Sequence, residues 1–305
     1  MTLKRKYKTR GLLLSPMLAQ AQRATFDSNT PWHKTNTRRN VGLQAVNENP
    51  DQWKLIGYML NTVKQCVIAY FEDRETDEPL HIDCPYGASG DLIYFKERHY
   101  VYGLWQQADE LTKTGRVKLE FLRLVGEGDQ YDVRFDHNLP AAYYQRGKHD
   151  LNIAHWYERP SLYMPKAYAQ LWAMQKDPRI ERLCDITAMD AVHEGVEPVW
   201  SNVRDRWGYK NYLDHRPYGF AKDSFLSLYS AINGVEEKNK NPWVWVLDYV
   251  PMSHTGRPSD ELIAKTRRDL HTPYAIQPEF LGFTDNPQDA QRLGKSLISN
   301  IQFDD

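Results

Sequence analysis

The sequence predicts a mixed α+β fold, because strand patterns and short capped helices both occur along it. Two segments have the period of a strand, 117–125 (VKLEFLRLV) and 241–250 (NPWVWVLDYV), and the second is the clearest strand in the chain. At 305 residues the chain is long for one simple domain. We therefore expect one elaborated domain, or a core that carries sizeable insertions.

The amino-terminal part predicts a strand, a capped helix and an extended basic segment. Residues 12–18 (LLLSPML) predict a strand that ends at Leu14, and a helix from Pro16 to about Arg23 follows, with Ser15 as its N-cap. A loop rich in turn formers, 25–31, then leads into PWHKTNTRR at 31–39. This segment is predicted to be extended because its threonines are β-branched.

Four further helices are predicted. Residues 51–65 place Trp53, Ile56, Leu60 and Val63 at spacings of three and four. Thr187 is a cap residue with Asp190 three positions later and Gly195 at the end, which predicts a helix ending near His193 and Glu194. The remaining predicted helices are 224–232 and one near 258–270.

The other strands are predicted between turn-rich loops. A loop from Cys84 to Gly90 precedes a strand at Leu92 to Lys96. Segments 161–174 and 179–186 are predicted as strands around a turn, with a helix as the alternative for 167–174. Residues 126–160 are polar and poorly periodic, and are interpreted as an insertion. Trp243 and Trp245 are predicted to be core residues.

Composition favours a globular protein and shows an uneven distribution of charge. Hydrophobic residues make up 41% and charged residues 26%, and the formal net charge is −1. Residues 1–40 nevertheless hold nine basic residues against Asp27 alone. Residues 1–10 are predicted to be a basic arm, which suits a polyanionic partner or serves as a solubilising tail.

Cysteine usage and hydropathy predict a cytoplasmic protein. The three cysteines are far apart and form no CxxC pair, which argues against a disulfide framework or a zinc knuckle. The apolar run 11–19 is too short to span a membrane, and Ser15 and Pro16 interrupt it, which also argues against a signal peptide. HEGVE at 193–197 lacks a second histidine four positions on, so neither a metal nor a cofactor is expected.

The order of several motifs resembles a known family. SPML, HKTNTRR, CPYGASGDLIYFKE, SLYMPKAYAQ, RIERLCDITAMDAVHEGV, FLSLYSAING and NPWVWVLDY follow one another in the chain. This order resembles the ASCH-domain proteins of the PUA-like superfamily, specifically the long forms of bacteriophages and prophages that are often labelled morphogenetic or hypothetical proteins. The resemblance covers 11–250, with insertions at about 98–158 and 197–222, and leaves 251–305 as a C-terminal extension. It implies a twisted β-barrel with packed helices and a cleft that accommodates a nucleobase.

The same resemblance implies a catalytic trio. Small members of the family hydrolyse N4-acetylcytidine and carry a Lys-Thr-x-Thr-x-Arg run, which falls here on Lys34, Thr37 and Arg39, with a later glutamate at Glu194. In that family the lysine accepts a proton, the threonine is the nucleophile and the glutamate donates a proton. A threonine hydroxyl needs such a base, and a lysine serves as one only when its pKa falls. The family's glycine before the lysine is absent here, and on a regular strand residues three apart face opposite sides, so the trio requires a turn or bulge.

A second set of residues is expected to hold the substrate. Arginines next to the trio suit phosphate, aromatic rings suit base stacking, and backbone amides in the loop 86–91 suit an oxyanion or phosphate. A surface strand with solvated charges is the alternative interpretation of KTNTRR. The expected binding residues are Arg38, Arg39, Trp32, Tyr86, Gly87, Gly90 and Asp91.

The sequence leaves three functions open. The first is an amidohydrolase that removes an N4-acyl group from cytosine in a nucleoside or nucleic acid. The second is a non-catalytic RNA- or DNA-binding module, and the third is a phage structural or interaction protein. The expected partner in the first two is a nucleoside or nucleic acid, without a membrane.

Overall fold

The computed structural model of the chain describes residues 7–27, 32–61, 63–124, 133–147, 150–201, 206–214 and 216–270. Within these ranges the strands are β1 (Thr9–Leu13), β2 (Asn36–Arg39), β3 (Trp53–Asn61), β4 (Cys66–Asp73), β5 (Pro79–Asp83), β6 (Leu92–Lys96), β7 (His99–Leu111), β8 (Val117–Arg123), β9 (Val133–Phe135), β10 (His155–Arg159), β11 (Trp172–Gln175), β12 (Arg179–Arg182), β13 (Pro198–Ser201), β14 (Arg206–Tyr209) and β15 (Trp243–Ser253). The helices are α1 (Pro16–Ala24), α2 (Gln44–Asn47), α3 (Ala188–His193), α4 (Ala221–Asn233), α5 (Val235–Asn239) and α6 (Asp260–Asp269). The predicted α+β class is confirmed, with strands dominant.

A six-stranded sheet forms the centre of the molecule. Its order is β1-β6-β11-β15-β12, and β2 pairs with β15 beside this path. β1 and β6 are parallel, whereas every pairing of β15 is antiparallel. One end of β15 pairs with β12 and β2 and the other with β11, so the sheet curls into a half-barrel.

β15 is buried on both faces. Trp243, Trp245, Leu247 and Tyr249 enter the largest buried cluster, which confirms both tryptophans as core residues. Val244 is also fully buried, in a second cluster formed with α3 and α4. The alternation in the sequence therefore separates two apolar environments rather than core from solvent.

The capped helices form where their local signals predict them. Ser15 lies in extended backbone and its side chain accepts a hydrogen bond from Leu18 N, with Pro16 as the first helical residue of α1. Thr187 accepts from Asp190 N at the start of α3 in the same way. The predicted helices at 224–232 and 258–270 are confirmed as α4 and α6.

The predicted helix at 51–65 is wrong, because this stretch contains β3. β3 pairs with β4 from Trp53 to Asn61, with an irregularity between Leu55 and Gly57. β4 is an almost continuously buried apolar strand, and pairing with it outweighs the helical spacing. Val63, the last member of the helical pattern, is 82% exposed.

The region predicted as the 98–158 insertion contains a sheet of its own. β10, β7 and β8 lie side by side, and β9 pairs with β7. The predicted strand at 117–125 is confirmed as β8 over residues 117–123. Residues 125–132 and 148–149 lie outside the described part of the chain.

Segments 161–174 and 179–186 form strands only in part. β11 and β12 cover 172–175 and 179–182, and 3-10 turns occupy 161–163 and 166–168. The helical alternative for 167–174 is wrong, since Trp172–Gln175 pair with both β6 and β15. Pro160 and Pro165, each immediately before a turn, hold the chain away from a continuous strand.

The two ends of the described chain pack on the central sheet. Lys8 N donates to Asp91 Oδ1 at 2.9 Å, so part of the predicted basic arm is anchored, whereas residues 1–6 lie outside the described range. In the predicted C-terminal extension, Ile263 of α6 is buried in a third cluster with Trp172. Residues 271–305 are not described. Among the described helices, none has the length and apolarity to span a membrane.

Candidate functional site

A small pocket of about 90 Å³ lies beside β2, between α1, α4 and Glu194 at the end of α3. β2 pairs with β15 through residues 36–39, and residues 37–39 together with Asn40 line the pocket. α4 provides a largely apolar wall. The lining comprises Leu18, Thr37, Arg38, Arg39, Asn40, Glu194, Phe225, Leu228, Tyr229, Ile232 and Asn233.

A larger depression of about 550 Å³ lies beside α6 and is more open. Its lining includes Lys176, Asp177 and Lys265, and none of the residues predicted for the site. Leu270, where the described chain ends, forms part of its rim. The pocket beside β2 is therefore the candidate site.

Glu194 lines this pocket, and the buried Lys34 contacts it. The Lys34 side chain is fully buried, and its Nζ lies 3.2 Å from Glu194 Oε2. The same Nζ donates to the Glu194 carbonyl at 2.8 Å and to the Asn36 carbonyl at 2.9 Å. These three acceptors use all the N–H groups of a lysine ammonium.

The local backbone explains how residues 160 positions apart come together. Lys34 and Glu194 form an isolated antiparallel bridge, and Thr35 N donates to the His193 carbonyl at 2.8 Å. Gly195, at φ +85°, turns the chain at the end of α3. A Cβ on Gly195 would lie 3.1 Å from the Lys34 Cβ, so glycine permits this close approach.

Arg38 is the second cation on Glu194. Its Nη1 lies 3.1 Å from Glu194 Oε1, and its Nε donates to Glu181 Oε1 at 2.7 Å. Nη2 lies 3.2 Å from Asp190 Oδ2. The guanidinium, 1% exposed, also lies over the Phe225 ring at 5.5 Å. Arg38 is thus fixed by carboxylates, and no phosphate contact is needed to explain its burial.

Burial and charge act in opposite directions on these groups. Burial lowers the pKa of Lys34 to about 8, against the attraction of Glu194. Burial also disfavours the charge on Arg38, but Glu194 and Glu181 outweigh it and raise the Arg38 pKa. A neutral Lys34 is therefore accessible near physiological pH, which is what a general base requires.

Thr37 is buried and lines the pocket, but its hydroxyl is not joined to the other two members of the trio. Within the described residues it makes no hydrogen bond to Lys34 or Glu194. β2 begins at Asn36, so Lys34 precedes the regular strand. No turn or bulge separates Lys34 from Thr37 in this described stretch, so the geometry that the trio requires is not formed between them.

The other predicted binding residues lie around this site in different ways. Arg39 lines the pocket and donates to the Leu13 carbonyl at 2.8 Å. Trp32 Nε1 donates to the Gly195 carbonyl at 2.9 Å, which places its ring beside the end of α3. Tyr86 is half-buried, and burial raises its pKa to about 12, while Arg39 acts in the opposite direction.

Protein groups contact the loop 86–91, for which the sequence predicts contact with an oxyanion or phosphate. Gly87 and Gly90 have φ of +93° and +81°, and a Cβ on them would lie 2.6 Å from Arg10 Nε and from the Tyr7 ring respectively. Gly90 N donates to the Gln175 carbonyl at 2.8 Å, and Asp91 N to the Ala88 carbonyl at 3.2 Å. Asp91 itself is fully buried and accepts from Lys8 N. These contacts account for the glycines without a bound anion.

Several residues of the site carry no signal in the sequence. Arg179 bridges Asp190 and Asp248, at 3.0 and 3.3 Å, on the same charged face as Arg38. The acidic partners of Arg38 and Arg179 lie on different elements and many positions apart, so spacing in the sequence does not reveal these ion pairs. The apolar wall is implicit in the amphipathic pattern of α4, which indicates a buried face but not a pocket. Among the described residues, no group of three or more metal-ligating side chains occurs.

Comparisons with protein families, curated proteins and solved structures found no match. The resemblance to ASCH-domain proteins therefore stays a prediction, as do the roles that it implies for the site residues.

Proposed function

We propose that the chain recognises a nucleobase in the pocket beside β2 and removes an N4-acyl group from cytosine by hydrolysis, as its resemblance to ASCH-domain amidohydrolases implies. One observation carries the proposal. Glu194 lines the same pocket as Thr37, and behind it Lys34 Nζ lies 3.2 Å from Glu194 Oε2. These are the three residue types that the chemistry uses.

Each of the three residues has one role in the proposed reaction. Thr37 Oγ1 attacks the acyl carbonyl, and neutral Lys34 accepts its proton. Lys34 passes a proton to Glu194 across their contact, and Glu194 delivers it to the amino nitrogen of cytosine as the carbon–nitrogen bond breaks. Water then hydrolyses the acyl-threonine and releases a carboxylic acid.

This sequence requires the substrate to complete the geometry. In the unliganded chain Lys34 donates to three carbonyl or carboxylate oxygens, and Thr37 is bonded to neither partner. Catalytic hydrogen bonds commonly form or shorten only in the substrate complex. Entry of an acylated base must therefore draw Thr37 and the Lys34–Glu194 pair together.

The experiment incubates the protein with N4-acetylcytidine and its deoxy form and separates cytidine from substrate by chromatography. Thr37→Val removes the hydroxyl with little change of shape and should lower turnover at least about a hundredfold. Thr266→Val on α6 makes the same chemical change outside the pocket and should retain turnover. Because only neutral lysine accepts a proton, kcat/KM should rise with pH and level off above about 8.

The outcomes separate hydrolysis from binding. Absence of turnover in the unaltered protein, or equal turnover in Thr37→Val, contradicts hydrolysis by this trio. Non-catalytic nucleic-acid binding is the second candidate, and the saturated hydrogen bonds of Lys34 favour it. Salt-sensitive binding of RNA or DNA without turnover would support this candidate. The structural or interaction role in a phage stays a prediction, which co-purification with capsid or tail proteins would test.

A further inference from the structure

β8 forms an open edge of the 98–158 sheet. Among the described strands β7 is its only neighbour, and the order β10-β7-β8 ends with it. Leu124 N donates to the Tyr102 carbonyl at 3.1 Å, and in an antiparallel ladder such bonded pairs recur at every second residue. The odd-numbered residues of β8 therefore direct their backbone N–H and C=O groups away from β7. An edge of this kind can pair with another strand.

The side chains of β8 divide between an apolar and a charged face. Val117, Leu119 and Phe121 share one face, whereas Lys118 and Glu120 lie on the other and are exposed.

The apolar face continues onto β7 and is open to solvent at one end. Leu111 is opposite Val117, and Trp105 is opposite Phe121 with ring centroids 5.3 Å apart. Leu111 and Val117 are 66% and 47% exposed. These two side chains gain from any neighbour that covers them.

A second copy of β8 complements this edge when Leu119 lies on the symmetry axis. Two identical edge strands pair antiparallel about a two-fold axis normal to the sheet, so one residue faces itself. With Leu119 in that position, Val117 faces Phe121 of the second copy, and Lys118 faces its Glu120. Each pair occurs twice by symmetry. Apolar residues thus meet apolar residues, and unlike charges meet on the other face.

Neighbouring registers lose this match. Those centred on Lys118 or Glu120 place like charges on the axis, and the one centred on Val117 sets Lys118 against Arg116. The register centred on Phe121 sets Arg123 against the apolar Leu119. The sequence of β8 therefore selects the register about Leu119.

The existing contacts of the charged face are compatible with this pairing. Lys118 Nζ lies 2.6 Å from Glu110 Oε2 of β7, and Gln106 donates to Glu120 at 2.5 Å. Across the dimer the row reads Glu110 and Lys118, then Glu120 and Gln106 of the second copy. Lys118 lies between two carboxylates in this row. Its present ion pair is exposed and holds it only weakly.

The remaining charges of the hairpin meet no like charge in this register. They are Asp109, Lys113, Arg116 and Arg123. Arg116 faces Leu122 of the second copy, and Arg123 faces its Gly115. Asp109 belongs to β7 and Lys113 to the turn, so neither lies on the edge.

We propose that two copies of the chain associate through β8, antiparallel and centred on Leu119, which joins their 98–158 sheets into one. About six backbone hydrogen bonds form between the facing odd-numbered residues, two for each of three pairs. The inference is independent of the proposed function, because β8 contributes no residue to the pocket beside β2.

Sedimentation velocity over a concentration series of the full chain tests the pairing. Lys118→Glu and Glu120→Lys each set two pairs of like charges against each other and should weaken association at least about tenfold. In an equimolar mixture of these two variants every facing pair again joins unlike charges, so association should return. Lys240→Glu makes the same change at another exposed lysine paired with a glutamate, and should associate like the unaltered protein. Far-ultraviolet circular dichroism checks that each variant is folded.

The mixture distinguishes this interface from a general effect of charge. Association that both single variants lose and their mixture regains supports pairing about Leu119. A single-chain mass for the unaltered protein at every concentration, or unchanged association in the single variants, overturns it. Loss in both variants without recovery in the mixture also overturns it, because Lys118 and Glu120 then do not face each other.

Discussion

The Lys34–Glu194 and Arg23–Glu97 pairs each join a cation to a buried glutamate, and they differ in what lies beside them. Lys34 meets Glu194 at 3.2 Å, and Arg23 of α1 holds both oxygens of Glu97, at 2.9 and 3.0 Å. In the first pair, Glu194 lines a pocket and shares its carboxylate with Arg38. The second lies where α1 meets the 98–158 sheet, with the Arg23 guanidinium 5.7 Å from the centre of the Phe135 ring.

Burial dominates the electrostatics of both pairs. It lowers the pKa of Lys34 to about 8 and raises the pKa of Glu97 to about 7, although Arg23 opposes the second shift. A perturbed titration is thus common to both regions and does not mark either as a site by itself. The contact of a buried charge with a pocket is the feature that distinguishes the Lys34 region.

Removal of Glu194 should have the largest effect on stability. Glu194→Ala leaves Lys34 and Arg38 buried without a shared counter-ion, so we expect a loss of about 3–5 kcal/mol in the free energy of unfolding. Urea denaturation measures it. The double variant Lys34→Met, Glu194→Leu should recover much of the loss because it removes one charge together with its partner. Equal stability of Glu194→Ala and the unaltered protein would contradict the role of the pair in the fold.

Removal of Glu97 should cost less. The Arg23 side chain is 15% exposed, so it reaches water when its partner is lost, whereas Lys34 is fully buried. We expect Glu97→Ala to lower the free energy of unfolding by about 1–3 kcal/mol. The same urea series compares the two sites directly. A greater loss at Glu97 than at Glu194 would reverse the proposed difference between the regions.

The pH dependence of stability should distinguish Glu97 by its sign. Its folded pKa of about 7 lies above the ordinary 4.5, so its stabilising contribution is complete below about 4.5 and is lost as pH rises to about 7. The slope from this group is at most about 1.4 kcal/mol per pH unit. His99, whose pKa burial lowers to about 4, has the opposite slope below about 6.5. The difference in free energy of unfolding between the unaltered protein and Glu97→Gln, measured from pH 5 to 8, gives the contribution of Glu97. If the two free energies change with pH in parallel, Glu97 makes no such contribution.

Local signals predicted the elements that have their own caps or strand periods. α1 and α3 begin where Ser15 and Thr187 supply a side-chain acceptor, and β15 follows its alternating pattern. The spacing of 51–65 predicts a helix where β3 forms, because its partner β4, rather than its own spacing, decides its structure. Local sequence cannot contain that information.

The site was predictable to a smaller extent. The family resemblance predicts that Lys34 and Glu194 act together, and they are in contact. The sequence does not predict the carboxylates around Arg38, because Glu181 and Asp190 lie more than 140 positions away on other elements. The loop 86–91 was predicted correctly as a turn-rich loop, but its glycines are explained by Tyr7 and Arg10 in the amino-terminal segment.

Loss of the N-cap of α3 should have the smallest effect on stability, and it tests how the Lys34 region is held in place. Thr187 Oγ1 accepts from Asp190 N at 3.0 Å, and α3 positions both Asp190 and Glu194 against β2. Thr187→Ala should cost about 1 kcal/mol of stability, measured by urea denaturation.

Ser259→Ala is the matched control, since Ser259 caps α6 by accepting from Leu262 N at 3.2 Å. We expect a similar loss of stability in both variants but reduced turnover of N4-acetylcytidine only in Thr187→Ala. Equal turnover in the two would mean that the geometry of Glu194 is fixed by Lys34 and Arg38 alone, because α3 would then be free to fray at its start without moving the carboxylate.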